Sequence, residues 1–156
     1  MATVLATRAA SGFPVFKPTG AGILGVAWGT YTHASNLAAT TIIQYCRVPK
    51  GATVIGGYWY ADDLDTGTEE LDIDLGWAAN GVDAADPDGF GNLGVLTGDV
   101  SVHVPVAGIW IPLQGVLMSA GPKTFAAETI IQAVVNTDAA TGGTGQSTMV
   151  VHYAID

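Results

Sequence analysis

The sequence predicts an all-β fold: an antiparallel β-sandwich or jelly-roll-like domain of about eight strands, with an extended N-terminal arm. Three observations predict it. Apolar side chains recur at every second position, so that Leu71, Ile73 and Leu75 point to one face of a strand while Asp72 and Asp74 point to the other. The apolar runs are rich in β-branched and aromatic residues, and turn-forming residues bound them. Helical periodicity is nearly absent, with room for single turns only at 34–39 and 123–127.

The predicted strands follow one another with short connections. The segment Pro49-Lys50-Gly51 suits a tight turn between the second and third strands, and Asp65-Thr66-Gly67-Thr68 predicts a hairpin between the third and fourth. Residues 78–92 are predicted to form a long irregular loop of functional length. In chain order the strands are predicted at 23–32, 40–48, 52–62, 71–77, 100–106, 109–118, 128–136 and 148–155.

The first residues differ from the rest, and we predict an N-terminal arm over residues 1–21 and a sandwich domain over 22–156. The arm has no sustained periodicity and is interrupted by Gly and Pro. It nevertheless contains the apolar residues Phe13, Val15 and Phe16. Two interpretations follow: the arm docks on a neighbouring molecule, or it folds over its own core.

The charge content indicates a surface that partners cover. The chain has 156 residues with a net charge of −9, and only 12% of them are charged, against about 25% in ordinary soluble domains. We therefore expect other subunits to cover much of its exterior. The five Lys and Arg residues are scattered, which argues against nucleic acid and anionic lipid as partners. The uncharged stretches 18–46 and 100–122 contain too many polar and helix-breaking residues for membrane helices.

The sequence offers little support for catalysis, and we expect no enzyme. No serine lies in a Gly-x-Ser-x-Gly elbow, and the single cysteine, Cys46, lies in an apolar run typical of a buried thiol. Acidic residues at 62–70 and 83–88 could flank a cleft as in glycosidases. Clustered acids in turns are more often solvated turn residues, so a hydrolase ranks lowest among the candidate functions.

Two loops are candidate Ca²⁺ sites, because each has Asp at i and i+2 followed by Gly. Neither completes an EF-hand loop. Loops braced by Asp side chains are the competing interpretation, and we expect no obligatory cofactor. The candidate ligands are Asp83, Asp86 and Asp88 in one loop and Asp63 and Asp65 in the other.

Tyr58, Trp59 and Tyr60 are consecutive and must divide between the two faces of their strand. At least one ring therefore points outward or lies beneath another chain. An outward ring could stack on a sugar, or it could anchor a subunit interface, where Tyr and Trp are enriched. The low charge of the whole chain favours the interface.

Three motifs resemble a class of small structural proteins of tailed bacteriophages. These are VPKGATVIGGY at 48–58, DDLDTGT at 62–68 and LDIDLGW at 71–77. Members of that class have a similar VPxGA strand start followed by a DTG…LDIDLG segment, and are commonly head decoration (cement) proteins or related virion proteins. The similarity spans residues 42–77, and more loosely the rest of the chain.

The resemblance implies a β-sandwich or jelly-roll that assembles as a homotrimer, or as another oligomer, on the outer surface of the capsid and binds the major capsid protein. It implies no catalytic residues. A carbohydrate-binding or host-adsorption module and a neck or tail structural protein remain the alternatives, since fold alone does not decide function.

Overall fold

The computed structural model describes residues 2–6, 9–13, 15, 22–35, 37–65, 70–95, 109–141 and 144–155. Within them, two β-sheets pack on one hydrophobic core. The predicted all-β sandwich is therefore confirmed. No helix in this part of the chain is long and apolar enough to cross a membrane.

The described residues form ten strands and one short helix. The first sheet, sheet A, has the strand order β1-β3-β9-β5-β6, and the second, sheet B, has the order β2-β10-β4-β7, with β8 paired to β4. All pairs are antiparallel except β1 with β3. The elements are β1 (Thr3–Leu5), β2 (Ile23–His33), β3 (Ile42–Val48), β4 (Ala52–Ala61), β5 (Asp72–Trp77), β6 (Asp86–Val95), β7 (Ile109–Pro112), α1 (Val116–Ser119), β8 (Lys123–Thr124), β9 (Thr129–Thr137) and β10 (Gly145–Ile155).

The predicted tight turn joins β3 to β4. The N–H of Ala52 donates to the carbonyl of Pro49 at 3.1 Å, which places Gly51 at the third turn position. Gly51 has φ 82° there, a left-handed conformation that glycine adopts without strain. Because β3 belongs to sheet A and β4 to sheet B, this turn also carries the chain between the sheets.

The predicted hairpin around residues 65–68 is wrong. Although β4 and β5 are consecutive, β4 pairs with β10, β7 and β8 in sheet B, whereas β5 pairs with β9 and β6 in sheet A. The connection therefore crosses from one sheet to the other. Asp65 supports the crossing, because its Oδ2 accepts the N–H groups of Glu70 at 2.8 Å and Leu71 at 3.1 Å.

Three other predicted elements differ from the structure. The loop predicted over 78–92 contains the first part of β6. The strand predicted at 109–118 ends at Pro112, and α1 follows Gly115, whose φ is 55°. Lys123–Thr124 is a short strand rather than a helical turn. The strand predicted at 100–106 lies outside the described residues.

The start of the chain contributes to sheet A. Thr3–Leu5 pairs in parallel with Ile42–Gln44 of β3, and Ala6 and Ala9 are buried. Arg47 on β3 donates its Nε hydrogen to the carbonyl of Ala9 at 3.3 Å. This part of the predicted arm lies on its own domain, and a docking role for the arm stays a prediction.

The core lies between the two sheets, and its largest members are fully buried. Sheet A contributes Tyr45, Ile73 and Phe90, and sheet B contributes Trp59 and Tyr153. The sheets come closest where β2 crosses β3. A methyl group on Gly29 would overlap the carbonyl oxygen of Tyr45, so only glycine permits this approach of the two backbones.

Candidate interaction surface

The outer face of sheet B is the most distinctive surface of the described chain. None of the strands β2, β10, β4 and β7 contains Asp, Glu, Lys or Arg, although the chain has a net charge of −9. The acidic residues of the described strands lie on β5 and β6 of sheet A. The charge is therefore distributed unevenly between the two sheets.

The register of the strands aligns the outward side chains in rows. One row runs Trp28, Val150, Tyr58 and Pro112 across β2, β10, β4 and β7. The next runs Thr30, Thr148, Tyr60 and Trp110. Alternate residues of the same strands point into the core. We call these two rows, together with Leu24, Val26, Ile55, His152 and Ala154, the outer face.

Aromatic contacts join β10, β4 and the edge strand β7 on the outer face. The rings of Tyr58 and Trp110 lie 4.3 Å apart with 35° between their planes, and His152 meets Tyr58 edge-on at 6.3 Å. Trp110 is 65% exposed and Trp28 is 43% exposed. Large aromatic side chains that are held in place yet open to solvent are typical of the anchor residues of protein interfaces.

The structure divides the predicted aromatic triplet between the two faces of β4. Tyr58 and Tyr60 lie on the outer face, partly buried, and the Tyr60 hydroxyl donates to Asp62 Oδ1 at 3.1 Å. Trp59 is 1% exposed and donates its Nε1 hydrogen to the Tyr45 hydroxyl. Trp59 is thus a core residue of its own chain and not a surface anchor.

The candidate interface residues of the arm occupy a different place. Phe13 is exposed and Val15 is partly buried, whereas Phe16 lies outside the described residues. They remain predicted contact residues.

Four residues of the outer face were not predicted to lie at the surface: Trp28, Trp110, Leu24 and Val26. The available signal was the complete lack of charge in the strands that carry them, combined with a period of two. The packing of the two sheets on each other decides which of the two alternating sets of side chains faces outward, and the sequence alone does not show that packing.

One pair of candidate Ca²⁺ ligands braces the chain. The Asp65 carboxylate accepts the backbone N–H groups of Glu70, Leu71, Ala140 and Thr141 at 2.8 to 3.4 Å. Burial alone would raise the pKa of Asp65, but these four donors lower it below its usual value. Asp63 Oδ1 accepts the N–H of Asp65 at 3.3 Å.

The other loop is also held together by its acidic side chains. Asp83 accepts hydrogen bonds from the Asn80 side chain, the Ala126 N–H and Lys123 Nζ. Burial and a hydrogen bond with Asp88 raise the pKa of Asp86. Among the described residues, no three His, Cys, Asp or Glu side chains form a group that could hold a metal ion. Ca²⁺ binding by these loops stays a prediction.

A serine and a histidine do meet in the structure, although they are 114 residues apart in sequence. Ser147 Oγ lies 2.7 Å from His33 Nε2. Both residues are buried, at 0% and 3% exposure, so a substrate could not reach the serine without opening the sandwich. We therefore assign this pair a structural role.

No protein-family model matches the chain, and no curated protein matches it. Three solved structures do. The chain is similar to one in the capsid of Ralstonia phage GP4, with a TM-score of 0.73, 17% identity and 99% of both chains covered. It is similar to one in the cyanophage Pam1 capsid asymmetric unit, with a TM-score of 0.69 and 18% identity over 96% of this chain and 99% of that chain. It is also similar to one in the acidic stable capsid of Helicobacter pylori bacteriophage KHP30, with a TM-score of 0.58 and 14% identity over 87% of this chain and 90% of that chain.

The chain shares the fold of these capsid chains. At these identities the likeness concerns the fold. The likeness covers nearly all of this chain and of the first two capsid chains.

Proposed function

We propose that this chain is a non-enzymatic structural protein of a phage virion, and that it acts as a capsid decoration (cement) protein. The observation that carries the proposal is the uncharged, aromatic outer face of sheet B on an otherwise acidic molecule. The likeness in fold to chains of three phage capsid structures supports the virion part of this proposal. In this proposal the protein lies on the outer surface of the capsid and binds the major capsid protein.

The size of the outer face suits a protein partner. Strands about 4.8 Å apart with a rise of about 3.4 Å per residue give a footprint of roughly 600 Å² for β2, β10, β4 and β7, before the relief of the side chains is counted. A standard interface buries about 800 Å² on each partner. A ligand that binds only the assembled shell stabilises that shell by mass action, and repeated copies of such a contact would strengthen a capsid.

We further propose that the protein assembles as a homotrimer. A decoration protein needs one surface for the shell and another for its sister subunits. The outer face of sheet B and the arm, which carries the exposed Phe13, would supply the first, and the remaining surface would supply the second. The exposed Asp88 and the partly exposed Asp72 and Asp86 would then face solvent, where net charge favours solubility.

Mass measurement in solution and a capsid-binding assay test the proposal together. We expect a species of three times the 15.9 kDa chain mass and co-sedimentation with capsids that lack the protein. The double variant Trp28→Glu, Trp110→Glu places charge on the outer face and should lose capsid binding. Met118→Glu is the matched control, because Met118 is 79% exposed and lies on α1, away from that face. A monomer that ignores capsids, or equal binding by the double variant and the control, contradicts the proposal.

The stacked Tyr58 and Trp110 rings favour one alternative, a carbohydrate-binding or host-adsorption module, because exposed rings can stack on sugars. A glycan array separates the two functions. Binding to a glycan that is lost in Trp110→Ala would support the alternative, and the absence of any hit would remove it.

A further inference from the structure

A chain of buried hydrogen bonds links the two sheets near one end of the sandwich. Trp59 Nε1 lies 3.0 Å from the Tyr45 hydroxyl, which lies 2.6 Å from Ser147 Oγ, which lies 2.7 Å from His33 Nε2. Tyr45 belongs to β3 of sheet A, whereas Trp59, Ser147 and His33 belong to β4, β10 and β2 of sheet B. All four side chains are buried, so the Tyr45 hydroxyl is a polar link from one sheet into the other.

The donor and acceptor roles along this hydrogen-bond chain follow from Trp59, the donor at one end. The Trp59 indole N–H can only donate, so the Tyr45 oxygen accepts from it. If Tyr45 then donates to Ser147, and Ser147 donates to His33 Nε2, every hydrogen in the chain has an acceptor. In this arrangement His33 Nε2 carries no proton. Burial raises the pKa of Tyr45 to about 12, so its hydroxyl keeps its proton throughout the acidic and neutral range.

We propose that this chain of four hydrogen-bonded side chains is an acid-sensitive latch between the sheets. The latch is closed while His33 is neutral and is broken when His33 Nε2 gains a proton. A protonated Nε2 is a donor, so the Ser147 hydroxyl hydrogen loses its acceptor on His33. If that hydrogen turns toward the Tyr45 oxygen, the Tyr45 hydrogen loses its acceptor instead. In either arrangement one buried hydroxyl hydrogen has no acceptor among these four side chains. An unsatisfied buried donor is costly, and the polar link between the sheets weakens.

A nearby carboxylate provides an interaction partner for the protonated His33 ring. Asp62, which follows β4, is the charged group that favours protonation of His33. Tyr31 is a further titratable group packed on the ring, edge-on at 4.9 Å, and the Tyr45 hydroxyl lies beyond Ser147. Asp62 accepts the Gln146 N–H through Oδ2 and the Tyr60 hydroxyl through Oδ1. A charged His33 is therefore attracted to Asp62, which lies just after the end of β4.

The balance favours the closed latch near neutral pH. Burial lowers the pKa of His33 from 6.5 to about 4, against the opposing charge of Asp62. Because the folded pKa is below the unfolded one, the unfolded chain takes up the proton first as the pH falls. The stability that the latch contributes is complete above pH 6.5 and is lost between 6.5 and about 4. The equilibrium constant for unfolding should rise by up to about 300-fold across that window from this group.

The test combines a titration of His33 by NMR with denaturant unfolding as a function of pH. We expect the His33 ring signals to titrate near pH 4, and the backbone amides of Tyr45 and Ser147 to lose hydrogen-exchange protection over the same range. In His33→Gln, which cannot gain a proton, the change of about 300-fold should disappear. His152→Gln, on the outer face of the same sheet, should retain it.

Asp62→Asn keeps the test decisive if His33→Gln does not fold. Removing the Asp62 carboxylate should move the His33 titration to lower pH, with the acid transition following it. Titration of His33 near its ordinary pKa of 6.5, or the same pH dependence in His33→Gln and the wild type, would overturn the latch. This inference does not depend on the proposed function, since it concerns the isolated protein.

Discussion

Tyr58 and Trp110 stack on adjacent strands with their ring centroids 4.3 Å apart. The contact joins β7, a strand of four residues, to the long strand β4. It holds Trp110 in a fixed orientation while leaving 65% of it exposed. The pair thus places a rigid aromatic group at the edge of an uncharged sheet.

Replacing Trp110 should affect association far more than folding. We expect Trp110→Ala to cost about 1 kcal/mol of unfolding free energy, the contribution of one aromatic pair with little burial. Its capsid binding should fall by at least about tenfold, as for a truncated interface anchor. Denaturant unfolding and co-sedimentation measure the two effects. Met118→Ala is the control, and a loss of binding in that variant too would point to a non-specific effect.

Gly29 should not tolerate a side chain. Gly29→Ala places a methyl group on the Tyr45 carbonyl oxygen, and separating β2 from β3 to relieve the overlap should cost about 3 kcal/mol. Gly56→Ala is the matched control in the same sheet, because its new methyl group would meet no atom within 4 Å. Chemical denaturation of the two variants provides the comparison, and equal stabilities would show that the sheets can move apart without cost.

Asp65 should stabilise the crossing between the sheets mainly as an ion. Asp65→Ala leaves four N–H groups without their acceptor and should cost about 3 kcal/mol near neutral pH. Since its folded pKa is lowered, the stabilisation is present above the unfolded pKa and is lost as the pH falls through the folded one. Thermal unfolding from neutral to strongly acidic pH should show the two proteins converging in acid. Asp63→Asn, which affects one accepted bond, should change little.

Asp74 should destabilise the protein when it is ionised. It is 8% exposed, its Oδ1 has no hydrogen-bond partner in the described residues, and its Oδ2 accepts from Asn136 at 2.8 Å. Burial raises the pKa of Asp74, and the charges of Asp72 and Asp88 add to the effect.

Because the pKa of Asp74 is higher in the folded protein than in the unfolded chain, the folded state loses stability as the pH rises from the unfolded pKa to the folded pKa. Asp74→Asn removes the charge and keeps an oxygen for Asn136, so its melting temperature should exceed that of the wild type near neutral pH. The gap should close below the unfolded pKa, where both side chains are uncharged. A lower melting temperature of the variant near neutral pH would mean that the carboxylate is stabilising.

Local patterns predicted most of the strands but not their partners. The alternation in LDIDLGW was sufficient to predict β5, because one face is apolar and the other polar. Strand β6 escaped prediction, since its sequence DPDGFGNLGV has the Pro, Gly and Asp content of a loop. It is extended because it pairs with β5, through register shifts that accommodate the irregular residues.

The predicted hairpin failed for a related reason. Turn residues between two strand-like runs indicate a reversal, and a crossing between two packed sheets uses the same residue types. The pairing of β4 and β5 with different sheets separates the two cases. Asp65 stabilises the crossing partly through tertiary contacts with Ala140 and Thr141, which the sequence does not show. The contact between His33 and Ser147 is likewise invisible in a sequence that separates them by 114 residues.

The uneven placement of the acidic residues also makes the two sheets electrostatically different. Carboxylates lie on β5 and β6 of sheet A, and none lies on β2, β10, β4 and β7 of sheet B. Near any negatively charged body, including another copy of itself, electrostatic torque turns the uncharged side forward before contact is made. The same asymmetry that leaves these four strands without charge therefore orients them for a productive first encounter, and added salt should slow that encounter by screening the torque.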